Sequence, residues 1–353
     1  MTQPRLHLIA PAAPCRSFFS ALGGCSAQEF VADVQEWVGS TYEVTADAAL
    51  MNADEDELAG GRTDDRQRAD DIEQALADDA VVAVVALRGG AWFTRILPLI
   101  DFSVLDRRTK PVAAFGFSEL TTLVNIVGAH ERGLGFYAPT PAFLIYGLKR
   151  YAATLPQLGA GAAQSPDEWM QKRLSTEVKG FFLDVVDILK GVDQRKAIEA
   201  RHVRGDLSDA CAATFVGGNL TVLSTLIGSR YASCVNPAGR WLVLEDYNDK
   251  PERIDRFLAH LTLAGYWDAC EGVLLGDFHQ NTRNLTDAVL AMLEFHLPAD
   301  SPTPILVTDR IGHIWPADTL PLHQPMTLRR SGEASYSIQW PTTSPTVVQK
   351  GVD

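Results

Sequence analysis

The run VVAVVAL at 81–87 carries no polar residue on either of its two alternating sets of positions. A strand with both sides apolar must be covered on both faces, and the usual solution is a parallel sheet held between helices. The neighbouring segments fit that demand. LHLIAPA (6–12) and VAAFGF (112–117) read as further buried strands. EFVADVQEWV (29–38), DDRQRADDIEQAL (64–76), a stretch over roughly 91–100 and ELTTLVNIVGAHER (119–132) read as helices between them. Strand and helix in alternation predict βαβ units and a doubly wound α/β domain over 1–165.

The stretch 156–167 (PQLGAGAAQSPD) reads as a linker or surface loop. Residues 166–211 are expected to be largely helical, with Phe181, Phe182, Val185, Val186 and Leu189 forming one stripe over 168–202. A second, smaller α/β domain is expected over 212–353. Its strands are WLVLED (241–246), EGVLLGDF (271–278) and PILVTD (304–309), and MTLRRSGEASYSIQW (326–340) reads as a hairpin. The helix PERIDRFLAHLTLAG (251–265) begins with Pro and ends with Gly, the expected asymmetry.

Charge limits the function. The 353 residues hold 31 Lys and Arg against 44 Asp and Glu, a net −13, whereas nucleic-acid affinity needs clustered positive charge. Twelve of the acids, set against Arg62, Arg66 and Arg68, fall within 47–79. That run reads as a solvated helix face, with an interaction patch as the alternative. Five dispersed cysteines without CxxC predict neither a disulfide framework nor a zinc cluster, as in a reducing cytoplasm. The N-terminus has no signal-peptide pattern, and no apolar run reaches the ~18–20 residues of a membrane span. The chain therefore reads as a soluble cytoplasmic protein.

Ser118 lies between VAAFGF and a helix, at a strand-to-helix turn where open α/β sheets present ligands. The following helix offers N–H groups and a positive dipole end to an oxyanion. Taken alone, the local pattern favours Ser118 as that helix's N-cap, with Glu119 complementing the dipole. The context GFSEL is not the G-x-S-x-G elbow. Arg88-Gly89-Gly90 after the VVAVVAL strand reads as a ligand-approach turn or a plain βα turn. No G-x-G-x-x-G follows a strand, which argues against dinucleotide binding. Glu245 ends WLVLED, and His313 in DRIGHIWP sits beside a glycine shortly after a strand. The other seven histidines form no short ligand pair, so no metal site is expected.

In order and spacing, ALRGG, RILPLID, AFGFSELT, GGNL, LVLEDYNDKPERIDRFLAHLTLAG, GVLLGDF and IGHIWPADTLPL resemble the LD-carboxypeptidases, serine peptidase family S66. The resemblance covers nearly the whole chain and is loosest at 140–210. It implies an N-terminal three-layer α/β/α domain, a smaller C-terminal α/β domain and commonly a homodimer. It also implies a nucleophile at Ser118, an acid at Glu245 and a base at His313, a triad then spanning both domains. The backbone N–H groups of Gly90 and Glu119 would hold the oxyanion. Arg88, the cation nearest the glycine turn in sequence, would receive the substrate carboxylate or, equally, is a structural surface arginine, and no cofactor or metal is required. The chain departs from the family pattern where Ala91 and Trp92 follow Gly90, where Glu119 stands for Asp, and where Phe117 stands for Tyr. These departures bear on the shape of the substrate pocket.

The implied reaction is release of D-alanine from the murein tetrapeptide, a small peptide substrate, in cell-wall recycling. The alternative branch, microcin immunity, hydrolyses aminoacyl or peptidyl links to nucleotide analogues. Arg88 and Pro251-Glu252-Arg253-Ile254-Asp255-Arg256 favour the first. The chain's length, and Trp169 as an aromatic able to stack on a base, favour the second. A non-catalytic α/β binding protein is the third expectation.

Overall fold

The computed structural model describes residues 3–54, 60–154, 166–191, 197–298 and 301–340, with the side chains of 149–154 and 166–169 left aside. In chain order the elements are β1 (Arg5–Ile9), α1 (Arg16–Ala21), α2 (Ala27–Val38), β2 (Glu43–Ala46), α3 (Ala48–Asn52), α4 (Asp65–Ala77), β3 (Val81–Ala86) and β4 (Val112–Gly116). Next come α5 (Thr121–Ala129), β5 (Gly133–Tyr137), α6 (Pro141–Thr154), α7 (Pro166–Lys190), β6 (Ile198–Arg204), β7 (Ala210–Asn219), α8 (Leu220–Leu226) and β8 (Trp241–Tyr247). The last are α9 (Pro251–Leu263), β9 (Gly272–Gln280), β10 (Arg283–Asn284), α10 (Thr286–His296), β11 (Ile305–Val307), β12 (Leu320–Leu322), β13 (Pro325–Gly332) and β14 (Ser335–Gln339).

These elements form two compact units. The first gathers Met1–Gly116 and Thr140–Val192, and the second Phe117–Pro139 and Asp193–Ser344. This division differs from boundaries at 165 and 211. The segment carrying Ser118 groups with the C-terminal residues, and the long helix α7 groups with the N-terminal ones.

In the first unit β2, β1, β3 and β4 pair in parallel. Every residue of β3 and β4 is buried, as the apolar runs predict. α2 packs on β2 and α4 on β3, while α7 packs on α2 through Phe182 and Phe30, whose rings lie 6.1 Å apart. The expected helix over 91–100 is instead a short 3₁₀ turn, Thr94–Leu99, with Pro98 inside it; proline has no N–H to donate to an α-helical ladder.

The acidic run is more than a solvated face. The side chains of Arg62 and Arg68 are fully buried beside it. Arg62 donates to the carbonyls of Ala10 and Ala12 at 2.9 and 2.8 Å and to Asp64. Arg68 donates to Trp92 O at 3.0 Å and to Pro11 O, and it pairs with Asp64 and Asp65. Burial opposes the charge on Asp64, but the Arg62 hydrogen bond and the two guanidinium charges outweigh it and hold the carboxyl below its ordinary value. Several of these acids therefore serve as partners for arginines that brace the loop after β1.

In the second unit the order β9-β11-β6-β14-β13-β7-β8 closes through a β8–β9 pairing, with β10 beside β9. Closure leaves these seven strands without an open edge. β7, β8, β9 and β11 run parallel, joined by crossovers through α8, α9 and α10, and the remaining ladders are antiparallel. Residues 198–204, expected to be helical, form strand β6 instead. Ile198 and Ala200 are buried while Glu199 and Arg201 are exposed, a period of two between β11 and β14. β5 pairs antiparallel with β12, placing Tyr137 opposite Leu320.

Candidate active site

After β4 the chain stays extended at Phe117 (φ −151°, ψ −176°). At Ser118 it enters the left-handed region with φ 60°, and one 3₁₀ turn over Ser118–Leu120 leads into α5. A non-glycine residue there costs of order 1–3 kcal/mol and persists only where its surroundings impose it. Here Thr121 Oγ1 donates to Ser118 O at 2.7 Å, and the Ser118 N–H donates to the Tyr137 hydroxyl at 3.2 Å. The N-cap position of α5 is Leu120, with no side-chain cap. Ser118 is thus not the helix cap: its Oγ lies 3.0 Å from His313 Nε2.

The parallel strands of the second unit deliver the partners at their C-terminal ends, where α/β sheets gather functional groups. Register sets Asn219, last in β7, beside Glu245 in β8. Against β9, two steps along β8 from Leu244 to Asp246 match three from Leu275 to Phe278. The extra residue lies on β9, and β8 is covered on both faces, so consecutive Glu245 and Asp246 are both buried. His313 comes from the loop after β11, braced by Arg310 bonded to Asp318 at 2.8 and 2.7 Å. Gly312 has φ 112°, and a Cβ on it would lie 2.9 Å from Glu245 Oε2, so only glycine lets the loop bring the imidazole this close.

His313 Nδ1 meets Glu245 Oε2 at 2.6 Å, which leaves Nε2 toward Ser118. Its ring lies between Phe117, with centroids 4.7 Å apart, and Tyr247, stacked at 5.1 Å. Glu245 Oε1 accepts from the Tyr137 hydroxyl at 2.6 Å and from Asn219 Nδ2 at 3.2 Å. Asn219 is held in that orientation because its Oδ1 caps α8 at the Val222 N–H. Burial opposes the imidazolium, but Glu245, through charge and hydrogen bond, aided by Asp246 and Asp277, outweighs it and raises the His313 pKa above the ordinary 6.5. Burial and the neighbouring Glu245 charge push the Asp246 carboxyl up to about 7. Burial, then Glu245, hold the Tyr137 hydroxyl well above 10, so it remains a donor. Chemically, such an arrangement can supply an alcohol nucleophile, a base and an orienting acid.

Ser118, Glu245 and His313 come together within the second unit rather than across two domains. Glu119 follows Ser118 in the 3₁₀ turn. Arg88 and Gly90 belong to the first unit. Arg88 donates there to Ser17 Oγ at 2.9 Å and to Pro14 O. Gly90 is exposed with φ 106°, as a tight turn requires. Trp169 falls on α7, its side chain outside the described residues. Tyr137 and Asn219 were not expected from sequence. Asn219 stands in the quoted GGNL, whereas GLGFY at β5 carries no strand pattern that singles out its tyrosine. Among the described residues no group of three or more His, Cys, Asp or Glu could hold a metal ion. No described helix is long and apolar enough to cross a membrane.

The chain is 25% identical over 261 residues to a Bacillus subtilis protein named a probable murein peptide carboxypeptidase, covering 73% of this chain and 72% of that one. Two solved structures share the fold. A muramoyltetrapeptide carboxypeptidase from Oxalobacter formigenes aligns with TM-score 0.60 and 20% identity over 95% of this chain and 98% of its own. An MccF-like protein from Bacillus anthracis aligns with TM-score 0.64 and 16% identity over 97% and 98%. Residues 6–138 match the LD-carboxypeptidase N-terminal domain and residues 212–328 the LD-carboxypeptidase C-terminal domain. With both halves matched in order, the chain belongs to the LD-carboxypeptidase family, the S66 peptidases.

Proposed function

We propose that the protein is a serine-type LD-carboxypeptidase that releases the terminal D-alanine of the murein tetrapeptide through an acyl-enzyme, in cell-wall recycling. The observation that carries the reading is the hydrogen-bonded chain Ser118–His313–Glu245, at 3.0 and 2.6 Å. In this mechanism His313 Nε2 takes the Ser118 proton as Oγ attacks the scissile carbonyl carbon. The C–N bond breaks as His313 returns that proton to the amine of departing D-alanine. Water, deprotonated by His313, then cleaves the acyl-serine ester. Glu245 holds the imidazole with Nε2 facing the serine and stabilises the imidazolium. The backbone N–H of Glu119 is the proposed oxyanion donor; one such donor is typically worth ~3–4 kcal/mol in the transition state. The same reading makes the enzyme a cytoplasmic homodimer that needs no cofactor for these steps.

The test offers the purified protein the tetrapeptide ending in D-alanine, the same peptide ending in L-alanine, and an aminoacyl-sulfamoyl adenylate, with products followed by mass spectrometry. Release of D-alanine alone, abolished in a folded Ser118→Ala variant, supports the proposal. Cleavage of the adenylate without D-alanine release replaces it with the nucleotide-analogue hydrolase. Inertness toward all three favours a binding protein.

A further inference from the structure

The serine and the acid are joined by a second route besides the imidazole. The Tyr137 hydroxyl donates to Glu245 Oε1 at 2.6 Å and accepts the Ser118 N–H at 3.2 Å. The direction of each bond is forced. An ionised carboxylate only accepts and a backbone N–H only donates, so a group that serves both must carry one proton and a lone pair. A phenol does. Its ring is buried and held in place by the β5–β12 ladder. Gly218, with φ 137°, clears room for it: a Cβ there would lie 2.6 Å from the ring.

We propose that Tyr137 is a positioning residue that ties the backbone of Ser118 to Glu245, holding the serine in its left-handed conformation and committing its N–H to the Tyr137 hydroxyl rather than to an oxyanion. This rests on the serine acyl-transfer reading above. It also separates this site from triads in which the nucleophile's own N–H helps to hold the oxyanion. The donor role passes to the N–H of the residue that follows, as in nucleophile elbows.

Tyr137→Phe keeps the ring and removes the oxygen. Labelling of Ser118 by a fluorophosphonate, which requires no knowledge of the peptide, is expected to slow about 10- to 100-fold. On the tetrapeptide kcat should fall by a similar factor, with KM within about two-fold. The combination with Glu245→Gln should lose less than the product of the two single losses, because Tyr137 acts through the same carboxyl position. Wild-type labelling rates in Tyr137→Phe, or multiplicative losses in the double variant, would overturn the proposal. Amide hydrogen exchange on the wild type tests it without any variant. The Ser118 N–H, outside every helix and strand ladder, should be protected, and exchange at the rate of an open amide would overturn it. Normal labelling of the wild type with a slowed Tyr137→Phe, but no peptide cleavage, would reject the tetrapeptide reading and leave the role of Tyr137 standing.

Discussion

Replacing Glu245 by glutamine exchanges one carboxylate oxygen for an NH₂ at nearly constant shape, and its neighbours decide which oxygen is lost. Asn219 must donate toward Oε1, since its own oxygen caps α8, and Tyr137 donates to the same atom. The amide oxygen of Glu245→Gln is therefore pinned at the Oε1 position, and its NH₂ faces His313 Nδ1. Nδ1 then has to accept, which moves the ring proton to Nε2, toward Ser118. A protonated Nε2 cannot receive the serine proton, so the base is disabled while every heavy atom stays in place. The analogous tautomer inversion in the serine-protease triad lowers kcat by ~10⁴, or about 5.5 kcal/mol at ~1.36 kcal/mol per decade. Because Glu245 is what holds the His313 pKa up against burial, whatever activity remains should show its acid limb at lower pH than the wild type. The assay is kcat against pH for D-alanine release, with near-UV circular dichroism to confirm the fold. A folded variant whose kcat lies within ten-fold of wild type would refute the tautomer argument.

Two further perturbations test the electrostatics. Asp246 has its native pKa raised to about 7, chiefly by burial, so its contribution to stability is present below the unfolded value of ~3.9 and lost as pH rises through 7. Ionising it in the fold costs about 4 kcal/mol. Asp246→Asn should therefore gain in Tm relative to wild type between pH 5 and pH 8. Its kcat/KM acid limb should also move to lower pH, since the Asp246 charge helps raise His313; a Tm difference independent of pH counts against the assignment. Arg68→Met leaves the carbonyls of Pro11 and Trp92 without their buried donor and weakens the hold on Asp64. It should cost about 3 kcal/mol, as breaking a buried pair does, seen as a lower urea midpoint at unchanged m; a shift worth under ~0.5 kcal/mol would mean the buried guanidinium is dispensable.

Local pattern alone was enough for β3, β4, β8 and β9, because a strand covered on both sides must be apolar throughout, and for α9, whose Pro and Gly mark its ends. The motif order also made Ser118, Glu245 and His313 legible as candidates. It did not reveal β5 or β6: GLGFY has too few bulky apolar residues to announce a strand, and IEARHVR shows its alternation only once β11 and β14 lie on either side. Nor did it separate the acids that pair with buried arginines from those facing water, since both kinds look alike in the string. The left-handed backbone of Ser118, its release from capping α5, the hydroxyl of Tyr137 between serine and acid, and the grouping of 117–139 with the C-terminal residues were decided by tertiary structure. The physical reason is distance along the chain. Ser118 and His313 are 195 positions apart and Tyr137 and Glu245 108 apart; hydrophobic periodicity records which side of an element is buried, but only the packed fold selects what it is buried against.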